Sequence, residues 1–328
     1  MRKGLWLAAL LVSLSGLAGQ AGAETLRVAV GQRGFWDTSI AVWGDRAGFF
    51  QKEGLTLELL YTDGGAETQQ AVISGSVEIG IGAGTLGVLG AAVRGAPLRA
   101  FAAEWHGASD LFWYGRAADP ARSLADAAGK TAGFSTVGSS SHLVLLSLLE
   151  AAGVRGTQSG AQSGARPTPT GGAGATLTQV MSGQIDIGWS VVPIGLKEEQ
   201  AGQIRILARG ADLPALAEQT TRLNIVNAAY LTAHRDVIQR FARAYQASLD
   251  WAYAEPQAVA WFAEGLQIDP ALARRSRDSF YLKSAMQPDI VKGLDLTLKQ
   301  AIDLKRVPPG TTLEQARTML DLVPAAAP

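Results

Sequence analysis

The sequence predicts an α/β protein built from two similar lobes. A stretch that reads as a helix leading into a short strand occurs twice, at Gly75 to Gly80 and at Gly183 to Gly188. The two copies are 108 residues apart, and the same offset relates Thr68 to Thr176. Predicted strands and helices also alternate along most of the chain, which favours mostly parallel sheets with helices on both faces. Such a duplication predicts two halves with a cleft between them, where small ligands commonly bind.

The amino terminus has the pattern of a cleavable export signal. Arg2 and Lys3 precede an apolar run from Leu5 to Ala18, and Ala21-Gly22-Ala23 is a small-residue cleavage site. A membrane anchor would need about 20 apolar residues, and this run is shorter. We therefore expect residues 1–23 to be a signal peptide and the mature chain to begin at Glu24.

Composition excludes several classes of function. The chain has no cysteine, which excludes disulfides, thiolate metal sites, a catalytic thiol and a lipid-modified cysteine at the cleavage point. The 29 Lys and Arg residues balance the 29 Asp and Glu residues, so no overall field attracts nucleic acid or anionic membrane. We expect neither as a partner.

The first lobe opens with a strand and continues as alternating helices and strands. We expect strands at 25–30, 55–60 and 98–103 and helices at 37–52 and 85–94, with the first copy of the repeat between them. The helix at 37–52 is indicated by apolar residues at helical spacing. Gly82 to Gly84 is predicted as a turn between the repeated strand and the next helix.

The second lobe follows the same plan. We expect strands at 110–114, 131–134, 185–189 and 204–208 and helices at 124–129, 142–151 and 194–200. Residues 153–174 are rich in Gly, Ser, Gln and Pro, which indicates a surface excursion within the lobe rather than a domain linker. The last hundred residues are predicted to be mainly helical and to pack around the first lobe, with Thr311 and Glu314 as a capping box for the final helix.

Three separated motifs resemble the periplasmic substrate-binding proteins of ABC importers, in their nitrate, sulfonate and taurine branch. They read AGFFQKEGLTLELLYTDGGAETQQAVISGSVEIGIGAGT, SLADAAGKTAGFSTVGSSSHLVLLSLLEAAGV and TLTQVMSGQIDIGWS. The resemblance implies a type II periplasmic binding protein fold with two crossover strands, near Trp105 to Leu111 and Arg222 to Ala229. It implies lobe 1 at 24–108 and 224–328, and lobe 2 at 109–223. It further implies a small-molecule ligand and the membrane permease of an ABC importer as partners. The export signal and the absence of cysteine predict a soluble protein of a Gram-negative periplasm, and we expect it to be a monomer.

Helix starts at the carboxyl ends of the strands are the expected ligand site, because their free N–H groups point into the cleft. Hydroxyls there suit an oxyanion, and tryptophans suit an apolar ligand body. Ser139 to Ser141 could instead simply cap their helix. The candidate ligand-binding residues are Phe35, Trp36, Thr38, Gly84, Thr85, His106, Ser139, Ser140, Ser141, His142, Trp189, Ser190 and Asn227.

We expect the ligand to be a small organic anion such as a sulfonate, taurine or nitrate, and alternatively an aromatic carboxylate or a heteroaromatic, pyrimidine-like molecule. A different alternative is a secreted NAD-dependent oxidoreductase, because Gly82 to Gly87 fits G-x-G-x-x-G and Glu104 follows the next strand. The export signal and the short helix after the motif disfavour it. Ser141 and His142 are adjacent and diverge on a helix, so we expect no nucleophilic catalysis. The three histidines lie in distant segments, so we expect no metal, and we expect no cofactor.

Overall fold

The computed structural model describes residues 24–155 and 164–326. The predicted signal peptide, residues 1–23, lies outside the described residues. None of the helices in the described part of the chain is long and apolar enough to cross a membrane.

The elements confirm the predicted alternation. The strands are β1 (Glu24–Val30), β2 (Leu55–Tyr61), β3 (Ile79–Gly84), β4 (Leu98–His106), β5 (Leu111–Arg116), β6 (Thr131–Phe134), β7 (Arg166–Pro169), β8 (Ile187–Val191), β9 (Ile204–Arg209) and β10 (Thr220–Asn227). The helices are α1 (Ser39–Arg46), α2 (Phe49–Lys52), α3 (Gly65–Ile73), α4 (Thr85–Val93), α5 (Ser140–Ala151), α6 (Ala173–Met181), α7 (Leu196–Gln200), α8 (Ala228–Ala233), α9 (Arg235–Ala254), α10 (Pro256–Leu266), α11 (Pro270–Phe280), α12 (Leu294–Asp303) and α13 (Leu313–Arg317).

Two five-stranded sheets form the centres of the two lobes. Lobe 1 has the strand order β2-β1-β3-β10-β4, and lobe 2 has the order β7-β6-β8-β5-β9. In lobe 1, β10 runs antiparallel to both of its neighbours, and in lobe 2 β5 does the same. The other strands of each sheet share one direction, as the predicted mostly parallel sheets require.

Two connections join the lobes, at residues 107–110 and 210–219. The first agrees with the predicted crossing. The second lies earlier than predicted, because β10 pairs with β3 and β4 in lobe 1. Arg222 therefore belongs to the lobe 1 sheet rather than to a crossing strand. The 210–219 connection consists of two short 3₁₀ turns.

The sequence repeat is also a structural repeat. The α3–β3 pair and the α6–β8 pair occupy equivalent positions in the two lobes. In lobe 1 the hydroxyls of Thr62 and Thr68 lie 2.7 Å apart, and in lobe 2 those of Thr170 and Thr176 also lie 2.7 Å apart. These buried pairs fasten the start of each repeated helix to the strand before it, so both lobes hold that helix in the same way.

The C-terminal helices pack around lobe 1, as predicted. Helix α9 lies against α1 and α2, and Phe241 meets the buried ring of Phe50 with centroids 5.0 Å apart. The capping box of the last helix is one residue later than predicted, formed by Thr312 and Gln315.

Glycine and proline account for the local differences from prediction. Gly48 has a φ of 83° and divides the predicted 37–52 helix into α1 and α2, since few other residues adopt that conformation. The predicted turn at Gly82 to Gly84 is instead the end of β3. Within the Gly- and Pro-rich stretch, β7 contains Pro167 and Pro169 and lies at the sheet edge, where a missing N–H is tolerated.

Candidate functional site

A small cavity of about 30 Å³ lies between the lobes, with room for one or two water molecules. Both lobes contribute to its wall. The lining residues are Gly31, Gln32, Phe35, Thr38, Gly64, Gly65, Gly82, Ser135, Ser139, Ser140, Ser141, Trp189 and Arg222. The lobes are therefore closed on each other.

Three helices begin at this cavity. The N-cap residues of α1, α3 and α5 are Thr38, Gly64 and Ser139, and all three line it. The first N–H groups of a helix have no partner within the helix, and the helix dipole places partial positive charge there. Helix starts from both lobes thus create a cavity that favours negative charge.

The three consecutive serines have different contacts. The Ser139 hydroxyl accepts the His142 N–H at 3.2 Å and so caps α5. The Ser141 hydroxyl accepts the Ser135 N–H at 3.0 Å and ties down the preceding loop. The Ser140 hydroxyl lies 3.5 Å from Nη1 of Arg222. The hydroxyls of Ser139 and Ser141 thus accept hydrogen bonds from the protein itself, whereas the Ser140 hydroxyl can still donate one to a ligand.

Arg222 is the charged side chain among the lining residues, and it lies in a buried ionic cluster. Its Nη2 donates to Oδ2 of Asp110 at 2.8 Å, and its Nε lies 2.8 Å from Oδ2 of Asp37. The Nε contact is a close ion pair without a well-directed hydrogen bond. Glu104 lies nearby, 1% exposed, with no partner for either carboxyl oxygen.

Burial determines the protonation of this cluster. Desolvation raises the pKa of Asp37 to about 6, against the opposing effect of Arg222. Desolvation, with the charge of Asp37, raises the pKa of Glu104 well above its ordinary value and so favours the neutral form of its carboxyl. The pKa of Asp110 is also raised by desolvation. Burial lowers the pKa of Arg222, but the surrounding carboxylates outweigh that effect and raise it.

Each lobe caps a helix of the other lobe. From lobe 1, Oε1 of Gln32 accepts the Ala173 N–H at the start of α6, at 3.3 Å. From lobe 2, Oγ1 of Thr136 accepts the Ala66 N–H at the start of α3, at 3.4 Å. We call these two contacts the reciprocal caps. Both lie close to Gly64, because a Cβ on that residue would be 3.0 Å from Oγ1 of Thr136 and 3.6 Å from Nε2 of Gln32.

The two tryptophans predicted for the site have different environments. Trp189 lines the cavity with Phe35, in an edge-to-face pair with centroids 6.4 Å apart, and its buried Nε1 has no partner. Trp36 is fully buried in lobe 1, where its ring packs against Trp43 and Phe262. The structure therefore places Trp36 in the core and not at the cavity.

Other predicted residues lie beside the cavity or far from it. Gly84, Thr85, His142 and Ser190 are close to the lobe interface but do not line the cavity. Nδ1 of His106 is hydrogen-bonded to the Thr220 hydroxyl at 2.9 Å. His106 also lines a separate cavity of about 430 Å³ near the two connections. Asn227 caps α8 at the opposite end of β10.

The glycines proposed for NAD binding are covered by lobe 2. A Cβ on Gly84 would lie 2.5 Å from the Gly138 carbonyl oxygen, and the Gly87 N–H donates to that same oxygen at 3.1 Å. The space that a dinucleotide would need above this loop is therefore filled by protein. In the described part of the chain, no group of three His, Cys, Asp or Glu residues could hold a metal ion.

Acid should destabilise the protein through His142. Its Nδ1 accepts the Gly138 N–H at 3.2 Å, and burial lowers its pKa from 6.5 to about 4. The folded state therefore binds fewer protons than the unfolded state between those values, so stability falls as the pH falls. We expect His142→Asn, which keeps an acceptor and cannot titrate, to retain about 3 kcal/mol more stability at pH 4, relative to pH 7, than the wild type.

Urea unfolding at pH 7, 6, 5 and 4 would measure this difference. The change His234→Asn, at an exposed histidine, is the control. If the free energy of unfolding had the same pH dependence in the wild type and in His142→Asn, the acid sensitivity would not come from His142.

Sequence reasoning missed Gln32, Ser135 and the ionic cluster. A signal for the cluster was present, because Arg222 interrupts an otherwise uncharged, strand-like run TTRLNIVN. An arginine at a buried strand position requires partners. Its partners Asp37 and Asp110 are distant in sequence, so only the tertiary structure identifies them.

The chain matches a model of a known protein family. A family model described as "NMT1/THI5 like" matches residues 38–259. Comparison with the curated proteins gives no match.

Solved structures of binding proteins resemble the chain over nearly its full length. The periplasmic aliphatic sulphonate-binding protein SsuA from Escherichia coli has a TM-score of 0.69 and 18% identity, covering 93% of this chain and 94% of that chain. SsuA from Xanthomonas axonopodis, an alkanesulfonate-binding protein bound to MOPS, has a TM-score of 0.68 and 21% identity, covering 92% and 97%. The nitrate-binding protein NrtA from Synechocystis has a TM-score of 0.68 and 12% identity, covering 90% and 85%. These likenesses confirm the predicted two-lobed periplasmic binding protein fold.

Proposed function

Since the chain belongs to the NMT1/THI5-like family, we propose that it is an exported solute-binding protein that captures a small organic anion between its lobes. Sulfonates, taurine and nitrate are the ligand class that we favour. The captured anion is then delivered to the membrane permease of an ABC importer. The proposed mature protein is a soluble periplasmic monomer that starts at Glu24.

One observation chiefly supports an anionic ligand, namely the convergence of the α1, α3 and α5 starts on a cavity that also contains Arg222. Two hydrogen-bond donors around it are not fully used by the protein. Nη1 of Arg222 has only a long contact, to Ser140, and Nε1 of Trp189 has no partner. Donors of this kind leave an oxyanion well solvated and a cation poorly solvated.

The proposed role requires binding without chemistry. Ligand holds the lobes together only if it contacts both of them, because contacts to one lobe stabilise the open and closed forms equally. Ser140 and Trp189 of lobe 2 and Thr38 and Phe35 of lobe 1 line the same cavity. A molecule placed there contacts both lobes, which is the arrangement that a capture protein needs.

A screen of charged ligands against neutral analogues would test this proposal. We would compare methanesulfonate with dimethyl sulfone, and benzoate with benzamide, and add taurine and nitrate, using thermal shift and then calorimetry on the mature protein. We expect anions to raise the melting temperature and their neutral analogues to leave it unchanged. Equal binding of each anion and its neutral analogue would contradict an anion site.

A second candidate ligand, an aromatic carboxylate or a heteroaromatic, is favoured by the aromatic walls. Phe35 and Trp189 line the cavity, and a neighbouring cavity of about 110 Å³ shares Gln32 and Thr38 with it. That neighbour is lined by further aromatic residues, Trp43, Tyr61, Trp261 and Phe262. A flat apolar body could extend into this space while its anionic group stays at the helix starts.

Ser140 should contribute directly to anion binding. We expect Ser140→Ala to weaken binding by about 1.5 to 3 kcal/mol, or roughly ten- to hundredfold, because a hydrogen bond to a charged group is lost. The effect should be similar for small and bulky anions. Calorimetric titration would measure it, with Ser182→Ala, at an exposed serine on the surface of lobe 2, as the control. Unchanged affinity in the folded Ser140→Ala variant would remove Ser140 from the site.

A further inference from the structure

The ionic cluster beneath the cavity holds more acidic groups than its single base can neutralise. Asp37, Glu104 and Asp110 are at most 1% exposed, and Arg222 is 2% exposed. Three ionised carboxylates around one guanidinium would leave two uncompensated negative charges in a buried site, which is strongly unfavourable. Protons must therefore be part of the cluster.

The groups that face the cluster from other elements supply no further positive charge. The hydroxyls of Tyr245, Tyr253 and Tyr281 lie around it, and burial raises each of their pKa values, so they stay neutral. Arg277 lies over the ring of Trp36, 5.9 Å from the ring centroid, and not against the carboxylates. The charge balance thus depends on Arg222 and its three carboxyl neighbours.

The three nitrogens of the Arg222 guanidinium have different partners. Nη2 makes a well-formed hydrogen bond to Asp110 at 2.8 Å. Nε is close to Asp37 but is not directed at its oxygen. Nη1 faces Ser140 at the cavity. An anion in the cavity would therefore approach Arg222 at Nη1, and Asp37 is the carboxylate that Arg222 holds less firmly.

We propose that the cleft takes up its anion together with one proton, and that the carboxylate of Asp37 receives that proton. This inference rests on the proposed function. An anion beside Arg222 adds a negative charge next to the cluster, and a like charge within a few ångströms disfavours the ionised form of a carboxylic acid. The proton comes from solvent and forms an O–H bond on Asp37, and no other bond changes. Arg222 then has one carboxylate partner and one ligand partner.

The state of each carboxyl before binding singles out Asp37. Neither oxygen of the buried Glu104 carboxyl has a partner, and burial raises its pKa well above the ordinary value, so Glu104 favours the protonated form before the anion binds. Asp110 keeps its hydrogen bond to Arg222, which stabilises its ionised form. Asp37, with a pKa of about 6, is ionised at neutral pH and close to the point at which it would take up a proton.

Calorimetry in buffers of different ionisation enthalpy would test the inference, with methanesulfonate, nitrate and benzoate as probes. At pH 7 we expect uptake of about 0.5 to 1 proton per bound anion, and affinity that falls by up to about tenfold per pH unit from pH 7 to 9. In Asp37→Asn, whose amide imitates the protonated acid, we expect no uptake and an affinity that is independent of pH. Glu104→Gln should keep the uptake.

The outcomes separate this inference from the proposed function. If one of the anions binds without proton uptake, the inference is overturned and the binding function stands. If uptake persists in Asp37→Asn and disappears in Glu104→Gln, the proton belongs to Glu104 and the inference is overturned. If none of the anions binds to the folded wild type, both are overturned. Should Asp37→Asn fail to fold, the wild-type measurement still decides whether a proton is taken up.

Discussion

Replacing Arg222 by methionine should lower the free energy of unfolding by about 3 to 5 kcal/mol at pH 7. The variant leaves Asp37 and Asp110 buried without their cation, and removing one partner of a buried ion pair is far more costly than removing the whole pair. Because the pKa values of both carboxyls would rise further, the folded variant binds extra protons and the loss should shrink as the pH falls towards 5. Urea unfolding at pH 7 and pH 5 would measure both effects.

A surface arginine provides the matched control. Arg235 pairs with Asp321 at 2.9 Å, and both side chains are largely exposed, so Arg235→Met should cost less than about 1 kcal/mol. Adding Asp37→Asn and Asp110→Asn to Arg222→Met should restore much of the stability, because no buried charge then lacks a partner. Equal losses for Arg222→Met and Arg235→Met would show that the ionic cluster is not the source of the effect.

Replacing Gly84 by alanine should weaken ligand binding by roughly a hundredfold or more, with little change in stability. Gly84 has a φ of −64° and a ψ of 126°, a conformation that any residue adopts. The added Cβ would lie 2.5 Å from the Gly138 oxygen and 2.7 Å from the Ser139 Cα, both in lobe 2. The methyl group therefore prevents closure without straining lobe 1, and a ligand loses its contacts to one of the two lobes.

Calorimetry with an anion identified by the screen, together with small-angle scattering, would check this prediction. We expect the variant to have a larger radius of gyration than the wild type, with or without ligand. Gly310→Ala is the control, since a Cβ at Gly310 would meet nothing within 4 Å. Wild-type affinity and compactness in Gly84→Ala would mean that closure does not depend on this contact.

The fold was predictable because its information is local and repeated. The match between Gly75 to Gly80 and Gly183 to Gly188 predicted two equivalent helix–strand units, which the structure contains as α3–β3 and α6–β8. The position of the second connection was not predictable. Extended residues such as Thr220 to Asn227 can form a crossing or an inner strand, and pairing with β3 and β4 decides between them.

The residues that line the cavity were predictable where a helix start identifies them, and not where the direction of a side chain decides. Ser139 to Ser141 and Trp189 lie at the cavity, since helix starts at strand ends meet in the cleft. Trp36 is next to the cavity residue Phe35 in sequence, but its side chain points into the core. Gln32 lines the cavity because its side chain contacts Ala173, which is more than a hundred residues away in the sequence.

Because of the reciprocal caps, a ligand that binds these helix starts has to replace hydrogen bonds that the protein already makes. Gln32 and Thr136 already supply oxygen atoms to helix starts beside the cavity, so an anion that bound those N–H groups would replace neutral acceptors rather than water. The net gain is the difference between a charged and an uncharged acceptor, so selectivity should follow the charge density of the ligand.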